Sequence, residues 1–295
     1  MNRLLFLVLL VLAPRIALAD IAPECQGIPK PDNYDEQRQQ DLLQNYPALT
    51  LTFSPLHGPI PHEPGHGMVG MDFAMIPPLK CAHRYVVDWA KTENTNVTPV
   101  APKLHASFAF PELPGGLRVY AGLGYIPPLT IFGQRSVLLS GEVGIGRKLD
   151  NIPLELGGRF HATSVKLIAD VAKAFDERRD PSILDLYVAS TFGVDLMAGW
   201  DFGPITPYLA IGYTDVSTFF YVGDDGVVTN NLHPYAGISF AAGLDGLIWK
   251  HLRWSAEFYG APGGYSMPDK LAPTVGTPAS YGHLYTARAR LGYEF

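Results

Sequence analysis

A histidine-rich stretch near the N-terminus has residue types that could bind a metal ion. Residues 62–66 (HEPGH) match the H-E-x-x-H pattern, in which two histidines one helical turn apart bind zinc. The proline and glycine inside the stretch are poor helix formers, so we expect a turn and no protease-type site. His57, His62 and His66 could together form a weak metal-binding loop. A surface turn without a ligand is the simpler interpretation, and we predict no metal site.

Histidine and serine residues occur close together in two other places. His161 and Ser164 are three positions apart, which puts them on opposite faces of a strand. His283 follows Ser280, but the spacing fixes no acidic neighbour for this pair. A nucleophile needs a base within hydrogen-bond reach. We therefore assign no catalytic residue and no cofactor.

A larger set of charged side chains occupies alternate positions in otherwise apolar segments. Residues two apart share one face of a strand, so these charges would lie on a common side of a sheet. Acids and bases are nearly balanced, which leaves two functions open: ion pairs that fill a narrow interior, or the polar lining of a pore. The set comprises Arg118, Glu142, Glu155, Arg159, His161, Asp195, Asp245, Arg253, Glu257, Arg288 and Arg290.

The elements that carry these charges alternate apolar with small or polar residues. A period of two predicts strands, and lengths above about 9–11 residues suit tilted crossings of a bilayer. Short links near residues 148–151, 201–204 and 250–251 alternate with long links at 167–183, 223–233 and 261–280. The alternating segments are 117–125, 136–147, 152–166, 184–200, 205–222, 234–249, 251–260 and 281–295.

Composition and the N-terminus indicate an exported protein. The 295 residues are 17% charged with a net charge of −6, and no basic stripe appears, which argues against nucleic-acid binding. Residues 1–19 combine a basic start, an apolar run and small residues at the cleavage position, as in a signal peptide. Cys25 and Cys81 fit an oxidising compartment; they either pair or remain free thiols.

The C-terminus carries a short signature. Ala287, Ala289, Leu291, Tyr293 and Phe295 share one face, and the chain stops at the final aromatic residue. This pattern resembles the terminal strand of bacterial outer-membrane β-barrel proteins. The resemblance implies an all-β fold, an antiparallel transmembrane barrel in the outer membrane of a Gram-negative bacterium. It also implies insertion by the barrel-assembly machinery, with Leu291, Tyr293 and Phe295 as the insertion signature, and contact with membrane lipids and lipopolysaccharide.

The N-terminal third decides the number of strands. Alternation in residues 69–75 and 104–110 predicts two more crossings, and residues 84–90 are a further candidate. Bacterial barrels have even strand numbers, so we expect ten strands, with eight or twelve as alternatives. Residues 20–67 are predicted to form a periplasmic segment, in which 54–67 could plug the lumen. Residues 68–295 would form the barrel.

The functional prediction is a narrow passive pore or transporter for small solutes. Its first alternative is a structural or loop-displaying barrel whose lumen is closed by salt bridges. A lipid-modifying outer-membrane enzyme is the second alternative. A pore needs a water path past Arg159, Glu257, Arg288 and Arg290, whereas a structural barrel needs those side chains to close it.

Overall fold

Ten long strands dominate the computed structural model of this chain, which describes residues 21–131, 133–169, 185–222, 226–227, 233–263, 265–267 and 283–295. The predicted signal peptide, residues 1–19, lies outside the described residues. One α-helix, α1 (Glu36–Leu51), precedes the strands. The strands are β1 (Gly67–Met75), β2 (Val100–Ala109), β3 (Leu117–Ile131), β4 (Gln134–Lys148), β5 (Leu154–Ala169), β6 (Asp185–Trp200), β7 (Ile205–Val222), β8 (His233–Ile248), β9 (Leu252–Ala261) and β10 (Leu284–Glu294).

Each long strand pairs antiparallel with the next, and β10 also pairs with β1, which closes the sheet. The closing seam runs from Met68 opposite Glu294 to Ala74 opposite Arg288. The prediction of an antiparallel β-barrel with ten strands is thus confirmed. The further candidate at residues 84–90 does not form a crossing: it contributes only Tyr85–Val86, which pairs with Lys91–Thr92 in a separate two-stranded sheet. This small sheet lies in the connection between β1 and β2.

The barrel has its polarity inside out relative to a water-soluble protein. Side chains such as Leu123, Leu196 and Leu209 point outward and are 62%, 72% and 64% exposed. Charged side chains such as Glu142 and Arg159 are each 4% exposed and lie inside. An apolar outer band around a polar interior fits a bilayer and not water. The chain therefore has the architecture of a transmembrane β-barrel. Among the described residues, no helix is long and apolar enough to cross a membrane.

The two ends of the barrel differ. Four short connections, at residues 110–116, 149–153, 201–204 and 249–251, lie at one end together with Phe295; we call this the turn end. The longer connections begin at the other end, the loop end, where β1, β5, β7 and β9 finish at Met75, Ala169, Val222 and Ala261; the first of these connections is residues 76–99. A two-residue link between β3 and β4 also belongs to the loop end. Barrels of this class place short turns in the periplasm and long loops outside.

The N-terminal segment begins at the loop end and crosses the barrel from inside. Helix α1 is held there because the Tyr187 hydroxyl donates to the Gln44 carbonyl, at 2.5 Å. The chain then runs through the lumen to the turn end, where the amide of Gly67 donates to the carbonyl of Phe295, at 3.1 Å. Cys25 and Cys81 form a disulfide that ties the segment to the β1–β2 connection.

The predicted periplasmic location of residues 20–67 stays a prediction, and the path of the chain argues against it for residues 21–51. Residues 21–51 lie at the loop end, which in this class of barrel faces the outside of the cell. The physical reason is the path of the chain: β1 starts at the turn end, and the preceding residues reach that point only through the lumen. Nothing in the local composition of residues 20–47 encodes this path.

We expect Leu291→Arg to impair assembly, because it puts a charge on the lipid-facing side of β10, where Leu291 is 51% exposed. The cost is up to about 2–4 kcal/mol, largest near the bilayer midplane. Gel mobility with and without heating, together with urea titration in bilayers, measures the effect. Leu113→Arg is the control, since Leu113 is similarly exposed in the turn at residues 110–116. Equal folding yields for the two variants would contradict the assigned outer face.

Candidate functional site

A stretch of chain occupies the inside of the barrel. We call residues 52–62 the lumen segment. Phe53 is fully buried, and Leu56 and His57 are almost so. The segment is not part of a strand or helix, so its backbone groups need partners other than a sheet ladder. Those partners come from side chains of the barrel wall.

Side chains of the wall strands β5, β8 and β9 bind the backbone of the lumen segment directly. The Arg159 guanidinium (β5) donates to the Phe53 carbonyl at 2.8 Å. The Leu56 amide donates to a carboxylate oxygen of Glu257 (β9) at 2.9 Å. The carboxylate of Asp245 (β8) accepts the Gly58 amide at 3.3 Å. The charges predicted from sequence to line the lumen therefore act as hydrogen-bond partners for a segment that fills it.

Arg288 fixes the end of helix α1. Its guanidinium donates to three carbonyls where the helix ends and the lumen segment begins: Leu49 at 2.9 Å, Thr50 at 3.1 Å and Thr52 at 3.0 Å. The last carbonyls of a helix lack intrahelical partners, and a cation is favourable there. The same guanidinium lies 4.0 Å from the ring centre of Tyr259. Arg288 thus connects the helix, the segment and the wall.

Buried ion pairs surround the lumen segment. Arg159 bridges two carboxylates, with 2.6 Å to Glu142 and 2.8 Å to Asp195. His57 of the lumen segment reaches the other oxygen of Glu142 at 3.0 Å. Buried charges are tolerated only when they are paired and hydrogen-bonded, and here each group has such partners. His57 joins the lumen segment to this network.

Two further arginines form separate pairs. Arg253 contacts both oxygens of Asp245, at 3.0 and 2.7 Å, and also Glu294 at 2.7 Å. Arg290 contacts both oxygens of Asp72, at 2.6 and 3.2 Å. Asp72 is absent from the residue set predicted from sequence. Its alternation with the outward-facing Met71 and Phe73 was the signal that could have identified it.

The remaining predicted residues are distributed differently. Glu155 and His161 face the interior, and His161 lies 3.5 Å from Asp195. Arg118 sits near the turn end, where it pairs with Glu63 at 2.9 Å and with Glu112 at 3.3 Å. The proposed insertion signature points outward, and its three members are all exposed: Leu291, Tyr293 and Phe295.

Glycines in the wall make room for the lumen segment. A Cβ atom at Gly146 would lie 2.3 Å from the Pro59 carbonyl oxygen, and one at Gly199 would lie 2.7 Å from Pro59 Cδ. Both distances are shorter than any normal contact, so a side chain at either position would displace Pro59. Glycine inside a strand often marks the close approach of another backbone. The structure adds a specific neighbour inside the lumen.

An apolar cavity of about 320 Å³ opens at the loop end, between helix α1, the β1–β2 connection and the barrel wall; we call it the mouth cavity. A second, much smaller cavity of about 20 Å³ lies against Thr52, Ser54 and Leu56 of the lumen segment. The two cavities share three lining residues, Leu51, Ala101 and Ile126. The mouth cavity therefore lies next to the space that adjoins the lumen segment.

The histidine-rich stretch does not form a helix. Its residues make a turn that contains Gly65 with a positive φ of 81°. His57 contacts Glu142, whereas His62 contacts Ser107 at 2.7 Å. Within the described ranges, no group of three or more potential ligands is arranged to hold a metal ion.

The histidine–serine pair of β5 does not form a nucleophilic site. His161 faces the interior and Ser164 faces outward, so the two side chains point away from each other across the barrel wall.

Comparison with known proteins gives structural likenesses only. No known protein family and no curated sequence matches the chain. The translocator domain of autotransporter NalP from Neisseria meningitidis is similar over 79% of this chain and 89% of its own, with 11% identity and a TM-score of 0.44. An outer membrane channel from Pseudomonas putida F1 is similar over 82% of this chain and 100% of its own, with 10% identity and a TM-score of 0.40. Outer membrane phospholipase A from Escherichia coli is similar over 86% and 97%, respectively, with 13% identity and a TM-score of 0.25.

Replacing Arg159 by Gln should lower the free energy of unfolding by about 3–5 kcal/mol, because Glu142 and Asp195 stay buried without their cation. Urea titration of the barrel in bilayers measures the change. Arg147→Gln is the matched control, since Arg147 is half exposed and lies 3.7 Å from the exposed Asp150. We expect the control to cost about 0–1 kcal/mol. A loss for Arg159→Gln no larger than that of the control would contradict the role of the buried network.

Gly146→Ala should destabilise the barrel by about 1–3 kcal/mol through overpacking against Pro59. The same titration applies. Gly158→Ala is the control, because the nearest neighbour of a Cβ atom at Gly158 is 3.5 Å away, an ordinary contact. If both variants unfold at the same urea concentration, the lumen segment does not occupy the position described.

Proposed function

We propose that this chain is a narrow passive transporter for small solutes, and that the lumen segment closes its route in the state described. The solute would enter from the loop end, pass through the mouth cavity and continue through the lumen once the segment moves. Membrane lipids and lipopolysaccharide would surround the barrel, and the barrel-assembly machinery would insert it.

One observation carries this proposal: the lumen is closed by a segment that is not part of the wall. The wall is complete without it, because β10 pairs with β1. The segment is held mainly by polar contacts, and water can replace such contacts at a modest cost. Displacement of the segment would therefore open a route without breaking the barrel.

A structural barrel is the competing function, and a specific observation favours it. Arg159 links Glu142 on β4 to Asp195 on β6, and these side chains occupy the lumen in addition to the segment. If they block the route by themselves, displacement of the segment opens nothing. The lipid-modifying enzyme has less support, since the orientation of His161 and Ser164 does not bring a base to a nucleophile.

A disulfide that locks the lumen segment tests the proposal. The hydroxyl oxygens of Thr52 and Thr191 (β6) lie 2.8 Å apart, so cysteines at both positions are close enough to pair. We expect the wild-type protein in a planar bilayer to show ion-current steps. The oxidised Thr52→Cys/Thr191→Cys variant should be silent, and reductant should restore its current.

The controls are the wild-type protein and the single Thr52→Cys variant, each with and without reductant. They are needed because reductant also acts on the native disulfide between Cys25 and Cys81. If the ion current of the double variant is the same with the engineered disulfide formed and reduced, the lumen segment is not a gate. A correctly inserted wild-type barrel that never conducts would favour the structural barrel.

A further inference from the structure

The mouth cavity has the size and the wall of a binding site for a small molecule. Its volume of about 320 Å³ lies within the range typical of ligand pockets. Most of the wall consists of apolar or aromatic side chains contributed by α1, the β1–β2 connection and strands β2, β3, β5, β6 and β7. Among them are Leu43 and Tyr46 of α1, Val87 of the connection, and Ile126, Leu167 and Phe220 of the strands.

The charged groups at the edge of the mouth cavity already have partners. Lys91 pairs with Glu93 at 3.2 Å. Glu36 accepts hydrogen bonds from the backbone amides of Val87 at 2.8 Å and Asp88 at 2.9 Å. Among the described residues of this wall, no cation is left to compensate the charge of an acidic ligand, and the carboxylate of Glu36 is likewise engaged.

Uncharged polar groups of the wall are engaged at two places, whereas the buried hydroxyl of Tyr46 has no hydrogen-bond partner in the described part of the chain. The Thr98 hydroxyl donates to Gln134 at 2.8 Å, and Thr218 donates to the side-chain oxygen of Gln44 at 2.8 Å. Burial raises the pKa of the Tyr46 phenol, so this ring stays neutral. A ligand that brings its own charge would lose hydration and gain no counter-charge.

We infer that the mouth cavity binds uncharged apolar molecules, such as small aromatic compounds, or the apolar chain of a lipid, and excludes their charged analogues. As a statement about the transported solute, this inference rests on the proposed function. The lining residues shared with the smaller cavity bring the bound ligand next to the beginning of the lumen segment, so the ligand would occupy the start of the proposed route.

A pair of fluorescent probes with the same ring skeleton tests the inference. N-phenyl-1-naphthylamine is uncharged, and 8-anilinonaphthalene-1-sulfonate adds one sulfonate to that skeleton. With the full-length barrel in lipid nanodiscs, and empty nanodiscs as the background, the neutral probe should show saturable binding at one site. We expect the sulfonate to bind at least tenfold more weakly. Equal or tighter binding of the sulfonate would overturn the inference.

Variants connect the binding to the mouth cavity. Leu43 is half buried and lines the cavity, whereas Leu79, also half buried at the loop end, does not. Leu43→Glu should weaken the neutral probe at least tenfold, and Leu79→Glu less than twofold. Leu43→Trp fills the cavity without adding charge and should also weaken binding, so a folding defect of Leu43→Glu alone cannot produce the result. Unchanged binding in both Leu43 variants would overturn the assignment.

Two further readouts separate the sources of the ligand and the two proposals. Organic extraction of the purified protein identifies any bound lipid; a lipid recovered from the wild type and lost in Leu43→Trp points to an apolar chain from the membrane. Saturable probe binding without a recovered lipid points to a free solute. Probe binding requires no opening of the lumen, so binding without ion current would refute the transport function and leave the ligand class standing.

Discussion

Charges enclosed inside the barrel must be neutralised locally, and this requirement organises the rest of the molecule. The charge of Arg159 is neutralised by the carboxylates of Glu142 and Asp195. The same guanidinium also donates a hydrogen bond to the backbone carbonyl of Phe53. Because one guanidinium serves both the wall and the enclosed chain, the wall and the lumen segment stabilise each other. Side chains of the wall supply the hydrogen bonds that the backbone of the lumen segment would otherwise lack. In turn, the segment packs inside the wall, where an empty lumen would leave a void.

The barrel could be predicted from sequence because its signal is local. Alternation with a period of two identifies both the strands and their inner faces, as for Glu142 and Asp195. The segment at residues 84–90 shows the limit of this signal: Tyr85 and Val86 have strand propensity, but a strand joins a barrel only if a neighbouring edge is available. In this chain β1 already pairs with β2 and β10, which leaves no edge free.

The mouth cavity could not be predicted, since it breaks the rule that inner faces are polar. Ile126, Leu167 and Phe220 line the cavity from the inner face of the wall, yet they are apolar or aromatic. Their partner is the apolar side of helix α1, which lies far from them in the sequence. Only the path of the N-terminal segment, which sequence reasoning assigned to the periplasm, explains why these positions are apolar.

The disulfide between Cys25 and Cys81 closes a covalent ring, because its two residues lie 56 positions apart and the intervening chain descends through the lumen and returns in the wall as β1. Strand β1, which belongs to the barrel wall, forms one side of this ring, and the lumen segment forms the other side. The lumen segment cannot leave the interior of the barrel as long as the disulfide is intact. Any movement of the lumen segment is therefore limited by the length of chain in that ring.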